Sequence, residues 1–146
     1  MGKVYEIGIC KNKGDKILKI NEVEAVAGCG LLNDRKSKKN NTKLGQMTLI
    51  EIENINYYNK ISNSSIQPVD FRRNIITNDI RLNSLVGKEF FIGDVKLKGH
   101  DLCRPCKYLE KLLGQKNFIK ELLYKGGLRC EILVSCKIVK GDKIKY

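Results

Sequence analysis

Histidine is nearly missing from this chain: His100 is the only imidazole in 146 residues. A structural zinc site needs four ligands, usually two cysteine pairs or cysteines joined by histidines. The sequence offers one close pair, Cys103 and Cys106. Cys130 and Cys136 are too far apart for a knuckle and fall on strand-like segments, while Cys10 and Cys29 stand alone. Proline is scarce too, with only Pro68 and Pro105. A thioredoxin-type dithiol needs its Cys-x-x-Cys early, in a βαβ unit; here the pair lies in the last third, and no later proline exists to pack beside it. Aromatics make up 7% of the chain and do not interleave with basic residues, which speaks against stacking on single-stranded nucleic acid. No nucleic-acid motif and no flavin or nicotinamide fingerprint is present. No apolar run approaches bilayer length, and Met1 to Cys10 lacks the apolar stretch and cleavage site of a signal peptide. The expectation is a cytoplasmic protein with no membrane partner, whose six cysteines are free, buried or functional rather than paired.

Acidic residues are also few: 16 against 28 Lys and Arg, for a net charge of +12. Such a balance attracts anions, whether nucleic acid or a phosphate on a small ligand. Yet 22 of the cations are lysines spread along the whole chain, which is also rich in Asn and Ile. That pattern fits compositional drift better than a dedicated polyanion partner.

The hydrophobic content of 42% and the length suit one globular domain, residues 1–146. Val4 to Cys10 reads as a strand, Ile17 to Ile20 and Glu22 to Ala27 as extended pieces. Residues 28–45 form a long polar loop bearing Arg35-Lys36-Ser37-Lys38-Lys39, and its lysines read as a solvated face. Met47 to Glu51 reads as a buried strand running into a helix to Lys60, and Asn74 to Thr77 as extended. Gly93-Asp94 joins two strands as a hairpin. Helical patterns cover about Lys107 to Leu113 and Lys116 to Tyr124, with Gly126-Gly127 as the stop. Arg129 to Val134 and Cys136 to Val139 read as strands, and Gly141-Asp142 as the last turn. Many short strands with closely spaced turns indicate a mainly β, barrel-like domain with a few short helices.

The chemistry concentrates in Cys103-Arg104-Pro105-Cys106-Lys107, just before a helical pattern. A helix start and two adjacent cations favour thiolate, which is both a nucleophile and a soft-metal ligand. The residues alone leave three readings open: a metal-binding thiolate, a redox dithiol, or two buried thiols in a turn.

Several blocks, in order, resemble the MOSC domains, named after the C-terminal domain of molybdenum cofactor sulfurase. They are Ala25 to Arg35, ending in Asn33-Asp34-Arg35; Gln46-Met47-Thr48-Leu49-Ile50; Phe71-Arg72-Arg73-Asn74-Ile75; Leu85 to Gly93; Leu102 to Glu110; and Gly126-Gly127-Leu128-Arg129. The resemblance covers nearly the whole chain. It implies a β-barrel of the pyruvate-kinase barrel type and a molybdenum–pterin cofactor. By the same resemblance Cys106 is the metal ligand and catalytic thiol, and Arg72, Asn74 and Arg35 bind cofactor; Cys103 joins Cys106 as a catalytic thiol in the dithiol reading. It further implies either sulfur carriage or reduction of N-hydroxylated compounds with an external electron donor. Partners would be proteins that make or receive the cofactor. A non-enzymatic cofactor carrier and a Cys103/Cys106 thiol–disulfide protein are the alternatives. Pyridoxal phosphate is not expected, since nothing here resembles the sulfurase domain that binds it. Asn33 departs from the family, which has glycine before Asp-Arg.

Overall fold

The computed structural model describes residues 2–105 and 107–146; Met1 and Cys106 lie outside the described residues. Eleven strands form the frame: β1 (Gly2–Ile9), β2 (Leu18–Ile20), β3 (Glu22–Val26), β4 (Gly30–Leu31), β5 (Met47–Glu51), β6 (Ile75–Asn78), β7 (Glu89–Ile92), β8 (Val95–Leu102), β9 (Leu128–Val134), β10 (Cys136–Val139) and β11 (Lys143–Lys145). Three helices accompany them, α1 (Ile52–Ser62), α2 (Lys107–Leu112) and α3 (Phe118–Glu121). No helix among the described residues is long and apolar enough to cross a membrane.

Seven strands close into a barrel in the order β1-β6-β5-β9-β8-β7-β11, with β11 returning to β1. Closure leaves no unpaired edge along the wall. Strand β1 shares one edge between two neighbours: Gly2 and Lys3 pair with β11, and Ile7 to Ile9 with β2. Every barrel contact is antiparallel except β5–β6. A parallel pair needs a crossover, and α1 with the 3₁₀ turn Pro68–Phe71 supplies it. A second sheet, β10-β3-β4, adds Val23, Ala25, Leu31 and Ile138 to the barrel core.

Strand alternation sorts the apolar residues into two cores. Leu49 and Ile75 point into the barrel. Their neighbours Ile50 and Ile76 point out, where Ile55, Tyr58, Phe71, Leu109, Phe118 and Leu122 cover them. The outer core centres on an aromatic trio, with Tyr58 edge-on to Phe71 at 6.1 Å and to Phe118 at 5.2 Å. Through Leu109 and Phe118 this cluster anchors α2 and α3 on the outer face of β5 and β6.

The long polar segment is a loop, as expected, and it is held in place by hydrogen bonds; one other expectation changes. The Asn41 side-chain amide lies 2.8 Å from the carbonyls of both Cys29 and Lys36, and Arg35 N donates to Cys10 O at 2.7 Å. Gly126-Gly127 does not stop a helix; α3 has ended at Glu121, and the glycines lead into β9. Gly127 has φ +110°, and a Cβ there would collide with the Leu49 carbonyl. Only glycine lets the chain pass so close to β5.

Candidate functional site

Strands β5 and β6 run parallel, so both begin at the same end of the barrel, where β1 finishes at Cys10. At that end a cavity of about 190 Å³ opens. Its wall takes Cys10 from the end of β1, Asp34, Arg35 and Lys36 from the loop, Met47 and Thr48 from β5, Arg72, Arg73 and Asn74 from the approach to β6, and Arg129 from β9. Arg104, Tyr108 and Leu109 complete it from the α2 side. Arg104 and Tyr108 are exposed and mark the rim. The volume is below the roughly 300–1,000 Å³ of sites that engulf a whole drug-sized ligand.

Six cations line this cavity: Arg35, Lys36, Arg72, Arg73, Arg104 and Arg129. Five of the six arginines in the chain are here; only Arg81 lies elsewhere. Drift toward lysine explains the bulk charge and leaves this concentration of arginine unexplained. Arginine differs in offering a planar fork of donors that matches oxyanions. Among the described residues the only acid on the wall, Asp34, has its oxygens engaged by backbone N–H groups: Oδ1 accepts from Cys10 N at 2.9 Å, and Oδ2 from Lys36 N at 3.3 Å. Among the described residues, Arg104 alone of the six makes an ion pair, a loose contact with Asp101 at 3.8 Å. Backbone carbonyls hold three of the others in place. Arg72 Nη1 donates to Asp15 O at 3.1 Å, Arg73 Nε to Gly126 O at 2.9 Å, and Arg129 Nη1 to Leu44 O at 3.2 Å. Neutral acceptors aim these guanidiniums without cancelling their charge.

The residues expected from sequence are partly brought together. Arg35, Arg72 and Asn74 all line the cavity. Arg72 takes φ +61° and also places Nη2 3.6 Å from the Cys10 sulfur. Asn74 is largely committed to the fold. Its Oδ1 accepts from Thr48 N at 3.1 Å and from Thr48 Oγ1 at 3.2 Å, and its Nδ2 donates to Gly8 O at 3.2 Å. One amide N–H is left for a ligand. The Asn33 departure is conservative in backbone terms. Asn33 adopts φ +70°, the left-handed conformation that asparagine tolerates best after glycine.

Cys103 sits between the end of β8 and α2, ahead of a helix as the pattern places it, but its surroundings differ from expectation; its N–H donates to Gly127 O at 2.7 Å. It is 1% exposed. Burial pushes its thiol pKa up; Arg73, Arg129 and Lys36 pull downward, with a hydrogen bond from Arg73, and do not win. The thiolate expected from neighbouring Arg104 and Lys107 is corrected for this residue: desolvation outweighs the cations. Cys106, expected to ligate metal, lies outside the described residues.

Sequence reading missed Cys10, Arg73, Arg104, Arg129 and Tyr108 as cavity residues, and placed Lys36 on a solvated face. Lys36 is exposed overall, yet it lines the cavity. Partial desolvation lowers its ammonium pKa, and Arg35, Arg129 and Arg73 lower it further against the opposing pull of Asp34. The available signal was the rarity of arginine in a lysine-rich chain.

A closed, mainly β barrel with an anion-attracting cavity at one end defines the class. The chain belongs to the MOSC domain family, whose model matches residues 38–145. The matched range begins after Cys10, Asp34, Arg35 and Lys36, which come from the segment before it. Comparison with curated proteins gave no significant match. Among solved structures the fold is similar to the YUAD protein from Bacillus subtilis, with TM-score 0.80 and 17% identity over 100% of this chain and 97% of that one. It is also similar to YiiM from Geobacillus stearothermophilus, with TM-score 0.80 and 13% identity over 99% and 74%. YiiM from Escherichia coli gives TM-score 0.71 and 14% identity over 99% and 67%.

The residues present fit the cofactor associated with this family. A cavity wall rich in arginine suits the pterin's phosphate.

Proposed function

We propose that the cavity binds the molybdenum–pterin cofactor, with its phosphate on the arginines. The observation that carries this reading is the set of six cations facing a single carboxylate that is already engaged. Arg72 and Arg129, fixed by carbonyls, orient the phosphate, and Arg35 closes over it from the loop. Asn74 offers its remaining N–H to the pterin. Cys106 is assigned as the thiolate that ligates molybdenum or carries a persulfide; its sequence neighbours Arg104 and Tyr108 lie on the rim. When bound, the cofactor supplies two-electron redox chemistry at a metal with sulfur ligands. The protein then acts either as a reductase of N-hydroxylated compounds, with electrons from a partner, or as a carrier of cofactor or sulfur. A Cys103/Cys106 dithiol is the weaker reading, because burial disfavours the Cys103 thiolate such exchange requires.

The test is metal analysis of protein produced in a host that makes the cofactor. Molybdenum should copurify with wild type and with Cys103→Ser, and be lost from Cys106→Ser. Equal retention by both variants would remove Cys106 from its role. Absence of molybdenum together with a persulfide on Cys106 would favour sulfur carriage.

A further inference from the structure

The polar loop after β4 meets the cavity with its two legs. Asp34, Arg35 and Lys36 on one leg and Leu44 and Gly45 on the other line the wall; the residues between them do not. From residue 38 to residue 44 every residue is exposed except Asn41, which is half-buried. Asn41 turns back between the legs. Its Nδ2 lies 2.8 Å from Lys36 O on one leg, 3.1 Å from Gly45 O on the other, and 2.8 Å from Cys29 O in the turn between β3 and β4. Its backbone N–H donates to Gly28 O at 2.9 Å in the same turn, and its Oδ1 accepts from Thr42 N at 2.9 Å. Gly45 passes close by: a Cβ there would stand 2.9 Å from Asn41 Oδ1. Both legs carry arginine in place. Arg35 directly precedes Lys36, and Arg129 Nη1 donates to Leu44 O at 3.2 Å, one residue before Gly45.

We propose that Asn41 is a positioning residue for the cavity's ligand: its side-chain amide ties the two legs of the loop together, and so sets Arg35 through one leg and Arg129 through the Leu44 carbonyl on the other. The inference rests on the reading of the cavity as the seat of the cofactor's phosphate and adds what holds that seat in shape. Asn41 acts from behind the wall, not on it. The chemistry of the place calls for an amide. Three carbonyls converge on one side chain, so it must donate, and a primary amide brings two N–H groups. A carboxylate of the same shape has none and would face three oxygens. Alanine leaves the carbonyls to water and lets the legs separate. The ligand must then order guanidiniums that the loop had ordered beforehand, which weakens binding by about three- to tenfold.

Inorganic phosphate is the probe, followed near neutral pH by backbone amide and arginine Nε signals in proton–nitrogen correlation spectra. Wild type should bind it, with the arginine signals shifting. Asn41→Ala should bind about three- to tenfold more weakly. Gly45→Ala, whose added methyl group pushes on the Asn41 amide, should weaken binding in the same direction and stands in if Asn41→Ala does not fold. A purely structural staple would lower the urea midpoint and leave the affinity of the folded protein unchanged. A double-variant cycle reads the route through Arg129: in an Arg129→Ala background, Asn41→Ala should cost distinctly less affinity than it does in wild type. Unchanged affinity in Asn41→Ala, or in Gly45→Ala where it stands in, overturns the inference; so does an equal cost in both backgrounds. Either result leaves the cofactor reading standing. Failure of wild type to bind both inorganic phosphate and inorganic pyrophosphate overturns the two together.

Discussion

Arginine marks the site in a chain that otherwise carries its positive charge on lysine. Arg72, Arg73 and Arg129 are each held by a backbone carbonyl, so their positions are set before any ligand arrives. Asn74 does structural work beside them, tying β6 to Thr48 and to Gly8. Asn74→Ala leaves those groups without a partner and should cost about 1–3 kcal/mol, visible as a lower urea midpoint even without ligand. Cys103 and Cys130 give a pH signature. Burial raises both thiol pKa values, that of Cys130 strongly. An unfolded chain ionises its thiols from about pH 8.5, while the folded state holds these two protonated. Their contribution to stability is therefore complete below that pH and lost as pH rises through and beyond it. The urea midpoint should fall between about pH 8 and pH 10, and Cys130→Ala should flatten the fall. Lys36 has the opposite sense: its pKa is lowered, so its share of stability rises as pH climbs through the lysine range.

At the scale of elements, the cavity depends on pieces that reach it from the outer core. Leu109 lines the cavity and also belongs to the cluster built on Tyr58, Phe71 and Phe118. Phe118→Ala should destabilise by about 3–5 kcal/mol and speed amide exchange across residues 107–122, loosening the rim. The glycine pair before β9 is a second support. Cys103 N and Arg73 Nε bond the carbonyls of Gly127 and Gly126. The strands themselves were readable in sequence, because period-two alternation with turn residues at the ends leaves little choice of register. Met47 to Glu51 and the hairpin about Gly93-Asp94 appear where the pattern puts them. The end of β8 was not readable. Gly99 to Leu102 carries glycine, histidine and aspartate, and its strand form comes from pairing with β9 rather than from propensity.

The whole molecule turns a diffuse excess of charge into a local one. Closure of seven strands gathers residues from 10 to 129 at one end of the barrel, a convergence that no sequence spacing displays. Arg35, Arg72 and Asn74 were legible through family resemblance. Arg73, Arg104, Arg129 and Lys36 became visible only once the barrel placed them around one cavity. The most direct measurement is the pterin content of protein purified from a cofactor-producing host, read by fluorescence after oxidative release. It compares wild type, the double variant Arg72→Ala/Arg129→Ala, and Arg81→Ala, which removes the one arginine outside the cavity. The account predicts pterin in wild type and Arg81→Ala and its loss from the double variant. Pterin absent from wild type, or retained equally by all three proteins, would contradict it.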